Sequence, residues 1–420
     1  MKKRVIPGLI VATVMFFTPL TGWATNGMNT IGTGAVSAGM GGADVAVPAG
    51  CTAIAGNPAQ LATTCNRVIS VGGAFLVPDM EDTPAGGSST DNEFQVFPLP
   101  FIGYAQRIGT SRWSVGLGVF AQGGMGVDFQ DVEVNTAMMP GVKDDLMSEV
   151  GFVRLSPTVA YNLTDKLTMG ASLFAGYATL KYDFFPNTIG HTVRDLNSFT
   201  YAGRFGVNYQ VNDKWSVGAT YTSESAIDFD DGELTQNFGP GLGKVKYDDV
   251  KMDGFTWPRQ VEVGAAYRAT PKLLLAMDLS WINWSSAIKT VTITATNPEN
   301  SMAPDTLEVP FEMDWDDQYV VAIGAEYDLT ESFKVRAGYN YGNTPVTNVN
   351  LSPLFPALVE HHATAGFTYT WTNWDFDFAY EHAFTNTETN DGAADGTNPF
   401  YGSKVSQTMD TFSLMASYRF

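Results

Sequence analysis

Only two of the 420 residues are cysteine and only four are histidine, so neither a disulfide-laced scaffold nor a zinc cluster is within reach of this chain. Basic residues are scarce as well. Against 44 Asp and Glu stand 24 Lys and Arg, a formal net charge of −20 that argues against nucleic acid as a partner. Beyond the first two dozen residues, no stretch supplies the ~18 consecutive apolar residues of a membrane-spanning helix. A Pro/Ser-rich linker and a shift in composition are also missing, although a chain this long ordinarily divides into two or more soluble domains. What is plentiful is glycine, 42 residues, and aromatic side chains, 13%. That mixture suits one large sheet.

The first 24 residues read as a secretory signal: Lys2, Lys3 and Arg4, an apolar run from Val5 to Phe17, then Gly22-Trp23-Ala24 as a cleavage site. The mature chain then starts at Thr25. Residues 25–66 form a separate segment without strand alternation, rich in small residues (Gly32, Gly34, Gly39, Gly41, Gly42 and Asn57-Pro58-Ala59) yet carrying Ile31, Val36, Met40, Val45, Val47 and Ile54 to bury. It reads as a plug. Cys51 and Cys65 lie within it; in an exported chain they could close a small disulfide loop, with two free thiols as the alternative.

From residue 67 to 420 side chains alternate with the period of a strand. In the last strand Phe412, Leu414, Ala416, Tyr418 and Phe420 share one face, and Thr411, Ser413, Ser417 and Arg419 the other. One face suits lipid and one suits water, as in a transmembrane β-barrel. A unit of strand, tight polar turn and strand recurs six times, for example Val159-Ala-Tyr-Asn-Leu-Thr-Asp-Lys-Leu167 and Val207-Asn-Tyr-Gln-Val-Asn-Asp-Lys-Trp215, with aromatics where a membrane interface would lie. With an opening strand near 67–77 and the closing strand, the pattern predicts an all-β antiparallel barrel of about 14 strands, both ends on the short-turn side. Long outer loops are expected at about 78–93, 123–150, 183–197, 229–256, 289–312, 344–360 and 385–407, where Gly, Pro and Asp concentrate.

Several residues together resemble the FadL family of outer-membrane transporters for long-chain fatty acids and other hydrophobic compounds. They are the Gly/Ala-rich segment ending in Asn57-Pro58-Ala59, the strand Val68-Ile-Ser-Val-Gly-Gly-Ala-Phe75 with Pro78-Asp79 after it, Asn343-Thr-Pro-Val346, and the terminal Tyr418-Arg419-Phe420. The resemblance implies a monomeric fourteen-stranded barrel plugged by an N-terminal hatch. It also implies a kinked third strand opening a lateral passage, and substrate capture by the third and fourth outer loops. On this sequence that strand is about Ser111–Gln122, with Gly116, Gly118, Gly123 and Gly124 in or beside it as gating positions, alongside Asn57, Pro58 and Ala59.

A passive carrier of amphipaths needs an apolar entry, a narrow apolar pocket and a cation for an acidic head group. Entry candidates are Phe184, Phe185 and Ile189 in the third loop and Leu234, Phe238 and Leu242 in the fourth; simple loop packing is the alternative. Strand parity points Arg154, Arg204 and Arg336 into the lumen, Arg204 being the preferred head-group contact, alongside the acids Glu262, Asp278 and Glu326. Mutual pairing across a polar interior is the alternative role for each. The acidic clusters Asp228, Asp230, Asp231, Glu233 and Asp248, Asp249 are read as solvated loop charge, with divalent cations at the lipopolysaccharide surface as the other reading.

His191, His361, His362 and His382 are scattered, without a Ser or Cys partner in a recognisable setting, so the chain is read as a non-enzyme needing no cofactor or metal. Expected partners are the hydrophobic substrate, outer-membrane lipid and lipopolysaccharide, and the barrel-assembly machinery through Phe420. Two functions compete: ligand-gated, passive uptake of hydrophobic molecules with lateral release, and an aqueous porin. A plug the length of residues 25–66 favours the first.

Overall fold

The computed structural model describes residues 26–63, 67–134, 141–394 and 398–420. The leader, Thr25 and Cys65 lie outside the described residues, and with them the question of a Cys51–Cys65 bridge.

The alternating segments form one closed antiparallel barrel of 14 strands. They are β1 (Arg67–Thr83), β2 (Phe97–Arg107), β3 (Trp113–Glu133), β4 (Lys143–Asn162), β5 (Leu167–Phe184) and β6 (His191–Gln210). Four interrupted strands follow: β7 (Trp215–Thr222 and Ser225–Asn237), β8 (Lys244–Trp257 and Gln260–Thr270), β9 (Leu273–Ile282 and Ile288–Pro298) and β10 (Thr306–Glu312 and Gln318–Asp328). The set ends with β11 (Phe333–Gly342), β12 (His361–Trp371), β13 (Trp374–Thr389) and β14 (Lys404–Arg419). Strands β1 and β14 close the cylinder from Val68↔Arg419 to Thr83↔Lys404. The six tight turns fall where the repeated unit puts them.

The outer half differs from the sequence expectation. Most of 123–150, 229–256 and 289–312 is not loop but sheet, because the strands run on past the bilayer. The third strand spans Trp113–Glu133 and not Ser111–Gln122. The reason is an inversion of polarity along each strand. In the lower half of β4, Leu155 and Val159 face outward while Arg154, Ser156 and Thr158 are buried in the lumen. In the upper half the parity is unchanged, but the inward residues are Leu146, Val150 and Phe152 and Lys143 is exposed outside. The inward face also turns apolar on β7, β8 and β9, but on β7 and β9 the strand interruption shifts parity by one, so that outward Val217 and Tyr221 give way to inward Ile227 and Phe229. Asp residues that signal loops sit instead at irregularities inside the sheet: Asp131, Asp195 and Asp231 adopt positive φ of 58°, 61° and 59°, which a short polar side chain tolerates.

Residues 26–63 lie against the lumen face. Their elements are a short helix α1 (Gly34–Gly39) and two 3-10 turns, Gly50–Ile54 and Pro58–Thr63. Among the described residues no helix is long and apolar enough to cross a membrane.

Candidate functional site

The inverted upper half encloses apolar space. An outer cavity of about 630 Å³ is lined by Tyr182, Phe184, Phe311, Leu351 and Phe400 among others. Below it, Tyr182, Met252, Phe255, Ile293, Phe311 and Phe355 converge on a throat with room for only about 20 Å³. An aromatic shelf follows: Phe152, Trp257, Trp284 and Trp315 are neighbours in sequence of contact, with ring centroids 4.9, 6.1 and 5.1 Å apart. Two of the three indoles donate to polar ground, Trp257 Nε1 to Asn29 Oδ1 at 2.9 Å and Trp284 Nε1 to Gln318 Oε1 at 3.3 Å.

The entry candidates separate. Phe184 lines the outer cavity and contacts Phe185, His191 and Phe400. Phe185 and Leu234 are buried, Phe238 and Leu242 pack partly buried against the same apolar cluster, and Ile189 is exposed. Leu234 stands on β7 and not in a loop. The sequence reading missed the descent of 351–359 into the lumen mouth, where Leu351, Leu354, Phe355, Ala357, Leu358 and Val359 are all buried. The signal was present: Leu351-Ser-Pro-Leu-Phe-Pro-Ala-Leu-Val359 is too apolar for a solvated loop.

All three lumen arginines are buried, but their contacts differ. Arg336 is ion-paired with Glu326 at 2.8 Å and donates to Thr368 at 2.7 Å. Arg204 donates to Thr222 Oγ1 at 2.6 Å and, through Nη1, to the backbone carbonyls of Ala55 and Gly56. It therefore ties the N-terminal segment to the wall. Arg154 touches no carboxylate among the described residues. Its guanidinium lies 4.7 Å from the ring centres of both Phe152 and Phe174, and it donates to Gln122 Oε1 and Ser225 Oγ at 2.9 Å each. Its Nε has no partner among the described residues. Of the three, Arg154 is the one whose guanidinium bonds neither a carboxylate nor a backbone carbonyl among the described residues.

The wall is discontinuous beside it. Strand β3 pairs with β2 only from Ser114↔Arg107 to Phe120↔Phe101, whereas its ladder to β4 continues to Glu133↔Lys143. Above the break, Glu93 N donates to Asp128 O at 2.8 Å and Asp128 N to Asn92 Oδ1 at 2.6 Å. Between those contacts β2 and β3 share no ladder, and we term this unpaired stretch the window. On its β2 side stand Pro98 and Pro100, whose ladder to β1 is unbroken and which have no N–H to offer β3. On its β3 side a bulge falls between Ala121 and Gly123, leaving Gln122 out of the ladder to β4. Gly123 to Val127 are all buried instead of alternating, so this stretch is covered on both faces. The N-terminal segment meets it there: Gly124 N donates to Met28 O at 3.2 Å, and a Cβ on Gly123 would lie 2.0 Å from that oxygen. Gly116 and Gly118 keep regular register, and the space where a side chain would go is filled by Ile54.

Asn57, Pro58 and Ala59 hold the segment to the wall at β5 and β6. Asn57 Nδ2 donates to Val45 O at 2.8 Å and Val207 O at 3.1 Å, while its Oδ1 accepts from Ala59 N at 3.0 Å. Pro58 and Ala59 press on Gly170 so closely that a Cβ there would lie 2.4 Å from the Pro58 carbonyl carbon. The Cys51 thiol is buried against the carbonyls of Val68 and Gly103.

Residues 11–420 match the profile of a family described as outer membrane protein transport protein (OMPP1/FadL/TodX). The chain is 23% identical over 305 residues to outer membrane protein P1 of Haemophilus influenzae, covering 64% of this chain and 62% of that protein's length. It is 20% identical over 356 residues to a long-chain fatty acid transport protein of Escherichia coli, covering 75% and 76%. Among solved structures, the toluene transporter TodX of P. putida superposes with a TM-score of 0.78 at 19% identity, covering 93% of this chain and 99% of that one. The Ralstonia pickettii toluene transporter TbuX gives 0.74 at 23% identity, with 93% and 98% covered. At these identities the structural matches establish the fold.

Proposed function

Because the chain belongs to the outer membrane protein transport family (OMPP1/FadL/TodX) and forms an outer-membrane β-barrel, we propose that it takes up hydrophobic small molecules by passive diffusion, with lateral release into the bilayer. A solute enters the cavity beside Phe184, with Ile189, Phe238 and Leu242 at the rim, and crosses the throat between Met252 and Phe355. It then leaves through the window between β2 and β3. Residues 26–63 act as the hatch that keeps water and ions from following, with Asn57, Pro58 and Ala59 as its anchor. Arg154 receives an acidic head group where the solute has one, and Arg204 is assigned to holding the hatch.

The observation that carries this reading is the coincidence of the inverted polarity with the window. An aqueous pore has no use for a lumen that is apolar above the membrane and blocked below. The chain acts as a monomer in this proposal, recognised by the barrel-assembly machinery at its exposed C-terminal Phe420 and surrounded by lipopolysaccharide. Planar-bilayer recording of the purified protein tests the hatch: silence or rare small openings are expected, and large steady ionic currents would favour the aqueous porin.

A further inference from the structure

Beneath the aromatic shelf lies a second, polar chamber of about 70 Å³, enclosed between the N-terminal segment and the wall. Two carboxylates face it, Asp44 from the segment and Glu262 from β8, together with Asn26, Asn29, Gln122, Arg204 and Asn340. Asp278 of β9 stands within electrostatic reach of both acids and accepts the backbone N–H of Asp44 and Val45 at 2.7 and 2.8 Å through Oδ2, leaving Oδ1 without a partner. The guanidinium that lines the chamber with them is that of Arg204, which forms no ion pair with any of the three among the described residues. That guanidinium is itself spent on the oxygens of Thr222, Ala55 and Gly56. Buried charge left uncompensated in this way is costly unless something positive joins it.

A second observation points the same way. Asn26 and Asn340 are more than nine-tenths buried, line the chamber, and have side-chain oxygens with no partner among the described residues. The orientation of Asn340 is fixed, because its Nδ2 donates to Gly41 O at 2.9 Å; the free atom is an acceptor. Hard oxygen acceptors, the two carboxylates and the free amide oxygens of Asn26 and Asn340, thus outnumber the one unpartnered amide donor, Asn29 Nδ2, and the chamber has room for an ion and water. Among the described residues no three His, Cys, Asp or Glu side chains converge as a metal site. The ligands would be two carboxylates, two amide oxygens and water.

We propose that this chamber binds a hard divalent cation of the calcium class, which joins Asp44 of the N-terminal segment to Glu262 of the wall. The site borders the proposed exit at Gln122, but its occupancy does not depend on what is transported.

Terbium is the probe, since Trp257 hydrogen-bonds Asn29 at the chamber edge and would sensitise its emission. Titration of the full chain in detergent is expected to give saturable tryptophan-sensitised emission that calcium displaces. Glu262→Gln and Asp44→Asn should each weaken apparent affinity 10-fold or more, and the milder Asn26→Ala several-fold. Folding of each variant is checked by heat-modifiable mobility on gels, and Asn26→Ala keeps the test open should an acid variant fail to fold. Trp257→Phe should dim the emission. Emission that does not saturate, or that persists unaltered in the folded variants, would place the ion on the acidic outer surface and overturn the proposal, as would no emission at all.

Discussion

Arg154 Nη1 donates to Gln122 Oε1 at 2.9 Å, and Gln122 is the residue that the bulge in β3 leaves out of the ladder to β4. Gln122 in turn donates to Asn29 Oδ1 at 3.0 Å. The unpaired guanidinium, the edge of the window and the start of the N-terminal segment are therefore consecutive members of one hydrogen-bonded chain.

Replacing Arg154 and Arg204 should give opposite phenotypes. Arg154→Gln is expected to lower uptake of a carboxylated amphipath about 10-fold, equivalent to the ~1.4 kcal/mol of a modest charge-assisted contact, and to leave a neutral hydrocarbon nearly unaffected. Arg204→Ala should spare that selectivity and raise ionic leak, because it frees Ala55 and Gly56. Parallel uptake assays with the two substrates decide; equal losses in Arg154→Gln would remove the head-group role.

The contact between Gly170 and Pro58-Ala59 can be tested by adding volume. Gly170→Val would force the 3-10 turn off the wall at a cost of about 1–3 kcal/mol, and bilayer recordings should show openings at least 10-fold more frequent. Gly203→Ala is the control, because the atom its Cβ would meet first is 3.6 Å away, ordinary contact distance.

Much of this architecture was legible in the sequence, and the exceptions have a common cause. Tight turns, the parity of the inner half and the inward direction of Arg154, Arg204 and Arg336 followed from period-2 alternation, which continues unshifted into the outer half on β4. Which face is apolar depends on whether lipid or water lies outside. Once β4 leaves the bilayer, Phe152 turns inward for the same reason that Leu155 turns outward. Reading apolar as outward ended the strands too early and turned their polar extensions into loops. The partners of Arg204 and Arg154 were not readable either: Arg204 depends on backbone carbonyls brought from a segment about 150 residues away, and Arg154 on side chains of other strands, Gln122 and Ser225.

A pH dependence is expected at the outer cavity. His191 is buried there, above the membrane-spanning part of β6, with Nε2 2.6 Å from the Tyr182 hydroxyl, and burial pushes its pKa down to about 4 from 6.5. The unfolded chain takes up this proton first as pH falls. The stability contributed by the neutral ring is therefore present above about 6.5 and lost as pH drops toward 4. Thermal midpoints of the detergent-solubilised protein should fall across that interval, and His191→Gln should flatten the slope; an unchanged slope would assign the effect elsewhere.

Closing the window while leaving the lumen untouched separates lateral release from passage straight through. Pro98→Val with Pro100→Val restores two backbone donors on the β2 edge, allowing the ladder to β3 to extend beyond Phe101↔Phe120. Initial uptake of a radiolabelled hydrophobic solute, compared between this double variant and the unaltered chain at equal amounts of folded barrel, is the most direct measurement. Transport through the wall predicts a loss of 10-fold or more; undiminished uptake would contradict it and route the solute past the N-terminal segment instead.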